Sequence, residues 1–244
     1  MKDSEACCLN PVRSPGQPEI AGTVLLCINP GEASALGRHA EGLGAGRHFL
    51  YNSSLWALAG AKSFLCGPAV GAPMAVMVME TLIAAGGRRF VVLGTCGALA
   101  RDLTFGDVLM PRWAVGGEGT SRHYPLANAP RVSPPLYDEV SCALAEHGVS
   151  VRSGGVWTTD APFRETREQV ANYRDQGIAA VDMEFSALLT LAAFRRVELV
   201  AVMVVSDLLG GDQWQPGFRA KAFTSAQRMV RQALFDYCLK DGYE

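Results

Sequence analysis

The sequence predicts an α/β fold built on a mainly parallel sheet covered on both faces. Two observations carry this. Short apolar runs alternate with helix-length segments along the chain, the order that successive βαβ units produce. The runs themselves, such as TVLLCI at 23–28 and VELVAVMVVS at 197–206, are continuously apolar rather than alternating, as strands buried on both faces are. The chain has 244 residues, 49% of them apolar, which suffices for one large domain with a full core.

The elements follow in order. Residues 1–22 are polar and proline-containing and read as a loosely ordered lead-in; residues 23–244 form the domain. The first strand, 23–28, is stopped by Asn29-Pro30-Gly31, a turn signal. SFLC at 63–66 is a second strand, and 71–85, apolar on nearly all faces, a buried helix ended by Gly86-Gly87. FVVLG at 90–94 is the third strand and runs into a small-residue turn, Thr95-Cys96-Gly97. DVLMPRWAV at 107–115 is the fourth, followed by a Gly/Pro/Ser-rich loop over 116–134. Residues 135–147 are helical, 149–159 extended, and 164–174 a polar helix. An apolar helix over 185–195 precedes the buried strand 197–206. A mobile loop spans 208–218, and an amphipathic helix over 219–239 closes the chain.

Composition excludes several function classes. Net charge is −2 with no basic tract, which argues against nucleic acid or anionic membranes as partners. No apolar run reaches the roughly 18–20 residues of a membrane span. The N-terminus lacks the apolar core, about 7–15 residues long, of a secretory signal. Seven cysteines form no CxxC pair, and their odd number and scatter fit a reducing cytoplasm. Four histidines stand apart, so no metal is expected.

Residues 178–211 carry the chemistry. Asp182 and Glu184 flank Met183 at the mouth of the apolar helix, and Asp207 ends the buried strand after it. Open α/β sheets place ligands at the carboxyl ends of their strands. Two carboxylate sources in one pocket suit binding a polyol and protonating a leaving group. The G-x-x-G of Gly94–Gly97 is weak by itself, with neither a third dinucleotide glycine nor a Walker lysine.

At FVVLGTCGALARDLTFGDVLMP, GEGTSRHY, VDMEFSALLTLA and VVSD, in that order, the chain resembles the nucleoside phosphorylase and nucleosidase superfamily. The resemblance implies a single-domain three-layer α/β/α sandwich with a mixed, partly closed sheet, a homo-oligomer (dimer or hexamer), and a nucleoside or purine base as small-molecule partner. It implies roles residue by residue. Glu184 binds the ribose 2′- and 3′-hydroxyls and Met183 packs on the sugar. Asp207 protonates or hydrogen-bonds the base, a role that calls for a buried carboxyl. Phe163 stacks on the base, and Thr95 and Gly31 contact phosphate or water.

Three positions depart from the phosphorylase pattern. After the first strand, Glu32 stands where those enzymes carry an aspartate and Ala35 where an arginine falls. Val92 stands where a second phosphate arginine precedes the turn. Arg38, Arg47 or Arg122 could substitute, from this subunit or a neighbour; otherwise Glu32 activates water, as in the nucleosidase branch. The Gln-x-Arg pair of uridine-type members is absent at 164–167, which favours a purine. The expectation is a cytoplasmic enzyme that cleaves a purine nucleoside by phosphorolysis, with inorganic phosphate as co-substrate and no cofactor. Hydrolysis, and nucleoside binding without turnover, stay open.

Overall fold

The computed structural model describes residues 7–50, 52–58, 60, 62–211 and 213–240; the first six residues of the expected lead-in lie outside them. The apolar runs become strands of a single sheet: β1 Thr23–Cys27, β2 Gly46–Leu50, β3 Ser53–Ala57, β4 Phe64–Gly67, β5 Arg89–Ala98, β6 Val108–Gly117, β7 Val151–Thr159, β8 Ile178–Asp182, β9 Glu198–Leu208 and β10 Gln215–Pro216. Their order is β10-β9-β6-β7-β8-β5-β1-β4-β3-β2, and β5 also pairs with β9. Strands β5, β9, β6, β7 and β8 therefore close into a ring, and β1, β4, β3 and β2 extend from it as an open wing. The long pairings β1–β5, β5–β9 and β6–β7 are parallel; β5–β8, β6–β9 and the β2–β3–β4 meander are antiparallel. The sheet is thus mixed, mainly parallel and partly closed.

Helices cover both sides. Helices α1 (Pro30–Gly42), α3 (Pro134–Glu146) and α6 (Lys221–Lys240) pack on β1 and β9, whereas α2 (Ala72–Ala84) and α5 (Phe185–Arg195) pack together against the ring. Helix α4 (Arg167–Asp175) lies on β8. The three parallel strands β1, β5 and β9 form the centre, with Leu26 opposite Val92 and Val92 opposite Ala201. All three side chains are buried, so Val92 packs in the sheet's centre.

The structure departs from the local expectations in five places. The signal at 29–31 marks a helix start rather than a plain turn: Asn29 is the N-cap of α1 and Pro30 lies in its first turn, where proline's missing N–H costs nothing. Ala33, Leu36 and Ala40 bury its inner face at helical spacing. The β2–β3 hairpin was not expected, because β2 (GRHFL) is mostly exposed and carries no apolar run. Residues 95–97 do not turn. β5 continues to Ala98, with a register shift against β9 between Cys96 and Gly97 that re-aims the strand end. The polar helix at 164–174 divides into a 3-10 turn, Pro162–Arg164, and α4, which starts at a Thr166–Gln169 capping box. The loop at 208–218 is pinned midway, where Gln215 and Pro216 pair with Leu208 and Asp207.

Candidate active site

The ends of β1, β5, β8 and β9 meet at one cavity of about 480 Å³, a size suited to a small organic ligand. Each strand end delivers a polar group: Asn29 just after β1, Thr95 on β5, Asp182 and Glu184 around the end of β8, and Asp207 on β9. Met183 and Val181 give the cavity an apolar side. Pro162, Phe163 and Glu165, with Leu209, Trp214 and Phe218, form its outer rim.

The β8 end is buried and closely hydrogen-bonded. Asp182 is buried, and both its oxygens are occupied. Oδ1 accepts from the Thr158 hydroxyl at 2.6 Å, and Oδ2 accepts from the backbone N–H of Glu184 (3.1 Å) and of Phe185 (2.7 Å). It thereby caps α5, as an acid at a helix N-terminus does. Glu184, 5% exposed, accepts the backbone N–H of Gly71 at 2.6 Å through Oε1. Gly71 is the N-cap of α2 and has φ +84°, so glycine is suited to that corner. One carboxylate oxygen thus ties two helix starts together, and the other is left for a ligand. Burial, then the charge of Asp182, pushes the Glu184 carboxyl well above the usual range. Burial also raises Asp182, but three hydrogen bonds oppose it, so Asp182 ionises first and Glu184 keeps the proton.

The β9 end is more open. Asp207 is half-buried, not the enclosed carboxyl that its expected role called for. Its Oδ1 accepts from the Ser206 hydroxyl at 2.7 Å, and Oδ2 accepts from the Trp214 indole N–H at 2.8 Å. Gly97 makes room for it. A Cβ there would lie 2.9 Å from Asp207 Oδ2 and 2.4 Å from Leu209 Cδ1. Beside Asp207 the cavity wall carries a second acid, Glu165, half-buried and without a side-chain hydrogen bond among the described residues. Burial, then the Asp207 charge, pushes Glu165 up to about 7. The Glu165 side chain follows the 3-10 turn, so a reading of 164–167 as the first turn of a polar helix could not aim it into a site.

At the third end, Asn29 Nδ2 donates to Thr95 Oγ1 at 3.4 Å. Asn29 Oδ1 is buried with no partner among the described residues. Exchanging the amide's oxygen and nitrogen would let the Thr95 hydroxyl donate to Oδ1 and free two N–H groups for a ligand. The sequence signal for Asn29 was its place directly after a buried strand, and the turn reading absorbed it.

The structure brings together Asp207, Glu184, Met183, Thr95 and Phe163 around one cavity. Phe163 stands on the rim, fully exposed at 101%. Gly31 and Glu32 do not line it. Gly31 lies in the first turn of α1, two residues past the corner at the lining Asn29. Glu32 is buried behind that corner, where Arg231 Nη1 of α6 donates to its oxygens at 3.2 and 3.3 Å. Burial pushes its carboxyl up, against the pull of Arg231. No described residue lining the cavity is basic. Arg47 instead donates to Ser54 at 3.0 Å and lies over the Trp56 ring.

Residues 23–239 match the family described as the phosphorylase superfamily. The chain belongs to that superfamily. A guanosine phosphorylase of Halorubrum lacusprofundi is 31% identical over 153 residues, 61% of this chain and 63% of the relative. A purine nucleoside phosphorylase DeoD-type of Bacillus cereus is 34% identical over 144 residues, 58% of this chain and 61% of the relative. The matches thus span less than two thirds of each relative's length. Among solved structures, a Toxoplasma gondii purine nucleoside phosphorylase in complex with immucillin-H superposes with a TM-score of 0.78 at 18% identity, over 91% of this chain and 92% of that one. That likeness shows that the two chains share a fold. Among the described residues no helix is long and apolar enough to cross a membrane.

Proposed function

We propose that this protein cleaves the N-glycosidic bond of a purine nucleoside by phosphorolysis, giving free base and pentose 1-phosphate. The observation that carries this is the pair of separated acids in one cavity, Glu184 beside the apolar Met183 and Asp207 at the base end. The two relatives named as phosphorylases of guanosine and of purine nucleosides support it.

The chemistry follows from the placement. As the C1′–N9 bond breaks, positive charge builds on the sugar and negative charge on the purine. A phosphate oxygen forms the new bond to C1′, and the bond pair leaves with N9. Asp207 gives N7 a proton, which neutralises the leaving base. The proton reaches Asp207 from Glu165 beside it, whose carboxyl is pushed up to about 7 and so holds one near neutrality. Glu184 gives up its proton to solvent as the nucleoside binds, because hydrogen bonds from the two ribose hydroxyls favour the carboxylate, and the charge then draws off developing positive charge. Thr95 and Asn29 supply neutral donors for the phosphate, and its cationic partner comes from outside the described cavity lining. A neighbouring subunit is our reading of that source, so we infer a homo-oligomer, a dimer or a hexamer. Inorganic phosphate is the co-substrate, no cofactor or metal takes part, and the setting is the cytoplasm.

The lack of a basic residue among the described lining favours one second reading, hydrolysis. The ion pair of Glu32 with Arg231 speaks against Glu32 as its base. The test is base release from purine and pyrimidine nucleosides in a phosphate-free background, with and without added phosphate. The expected result is release that needs phosphate, with sugar 1-phosphate as product. Equal release without phosphate would establish hydrolysis, and no release from any nucleoside would remove both.

A further inference from the structure

A second cavity, of about 390 Å³, lies behind the base end of the first. Glu165, Leu209 and Trp214 line both. Its remaining wall carries three arginines: Arg101 from the β5–β6 connection, and Arg167 and Arg174 from the two ends of α4. Arg174 Nη1 donates to the Gly210 carbonyl at 3.2 Å and so holds the loop that carries Trp214. Arg101 and Arg167 have no ion pair and no side-chain hydrogen bond among the described residues. By contrast Arg89, Arg152, Arg195 and Arg231 each face an acid.

Among the described residues three guanidiniums and one carboxylate line this hollow, and of the three only Arg174 has an acid near it, Asp175 at 3.8 Å. Unpaired guanidiniums lining a concavity match carboxylate or phosphate oxygens by paired N–H donors. The N-terminus of α4 is already satisfied by its Thr166–Gln169 capping box, so side chains rather than backbone N–H groups make the recognition. We propose that this cavity binds a small polyanion carrying phosphate or carboxylate groups, separately from whatever occupies the cleft. The occupant bears on the cleft through the shared wall. It touches the loop that Arg174 tethers, and that loop places the Trp214 N–H on Asp207. The inference does not depend on the reaction in the cleft.

The test is calorimetric titration of the full chain with inorganic pyrophosphate and, in a second arm, citrate, which separates phosphate from carboxylate ligands. Wild type should bind at least one of them saturably, with a parallel change in Trp214 fluorescence that Trp214→Phe abolishes. Arg101→Gln/Arg167→Gln should weaken binding about tenfold or more, the loss expected for charge-assisted hydrogen bonds. Thr95→Ala, which alters the cleft, should leave it unchanged. Both arginines are exposed, and an unaltered thermal midpoint verifies that the double variant folds. Arg101→Lys, which keeps the charge, should retain part of the affinity. Failure of both anions to bind, or an affinity that falls with Thr95→Ala, or one indifferent to the two arginines, would overturn the proposal.

Discussion

The two acid pairs of the cleft are built in opposite ways. Asp182 and Glu184 are buried between the starts of α2 and α5, and every hydrogen bond they accept comes from the backbone or from buried Thr158. Asp207 and Glu165 are half-buried, and Asp207 is held from outside by Trp214, 59% exposed on a loop. The first pair is fixed by the scaffold and suits recognition of an unchanging sugar. The second is held through an exposed side chain, which under the proposed reaction suits a proton donor that must form and release its contact with a leaving base.

The largest effect should come from the second pair. Asp207→Asn keeps the shape but removes the proton, and kcat should fall about 10²–10⁴-fold with KM little changed. Glu184→Gln should reduce kcat/KM about 10–100-fold, the value of a hydrogen bond to a charged group. A larger share of that loss should fall on KM than for Asp207→Asn; equal partition in the two variants would break the contrast. Gly97→Ala pushes a methyl group against Asp207 Oδ2 and Leu209, so kcat should drop roughly tenfold while the thermal midpoint moves little. Trp214→Phe removes one partly exposed N–H donor, and a loss of about threefold to tenfold in kcat is expected. Its pH–rate profile should shift as well, which loss of packing alone would not produce.

The buried pair makes a prediction about stability. Folding raises the Glu184 and Asp182 carboxyls above their unfolded values. The folded state therefore binds more protons, and the associated stability is present below the ordinary carboxylate range and lost as pH rises above it. Urea unfolding from pH 4.5 upward should show this decline, at most about 1.4 kcal/mol per pH unit for each proton retained. Glu184→Gln should flatten the slope. An unaltered slope would show that Glu184 ionises freely in the folded protein.

Much of the fold was legible because it rests on apolar continuity: β1, β5, β9, α2 and α5 follow runs that only burial explains. What stayed hidden depends on local geometry that periodicity does not encode. The hairpin β2–β3 is polar and short, α1 begins at a motif that also makes turns, and the β5 bulge is set by the register of β9. The site divides in the same way. Glu184 and Asp207 stand at ends of apolar elements and could be read from position. Glu165 depends on a 3-10 turn and Asn29 on an N-cap, so each enters the cleft by a backbone detail. Glu32 shows the converse, since a residue suitably placed in the chain is drawn away by Arg231, 199 positions later.

The most direct test of the central claim, that Asp207 acts by protonating the base at N7, compares two substrates with Asp207→Asn. Guanosine needs a proton at N7 to leave, whereas 7-methylguanosine already carries positive charge there. The variant should lose about 10²-fold or more in phosphorolysis of guanosine and retain most of its rate on 7-methylguanosine. Equal losses on both nucleosides would contradict proton donation by Asp207.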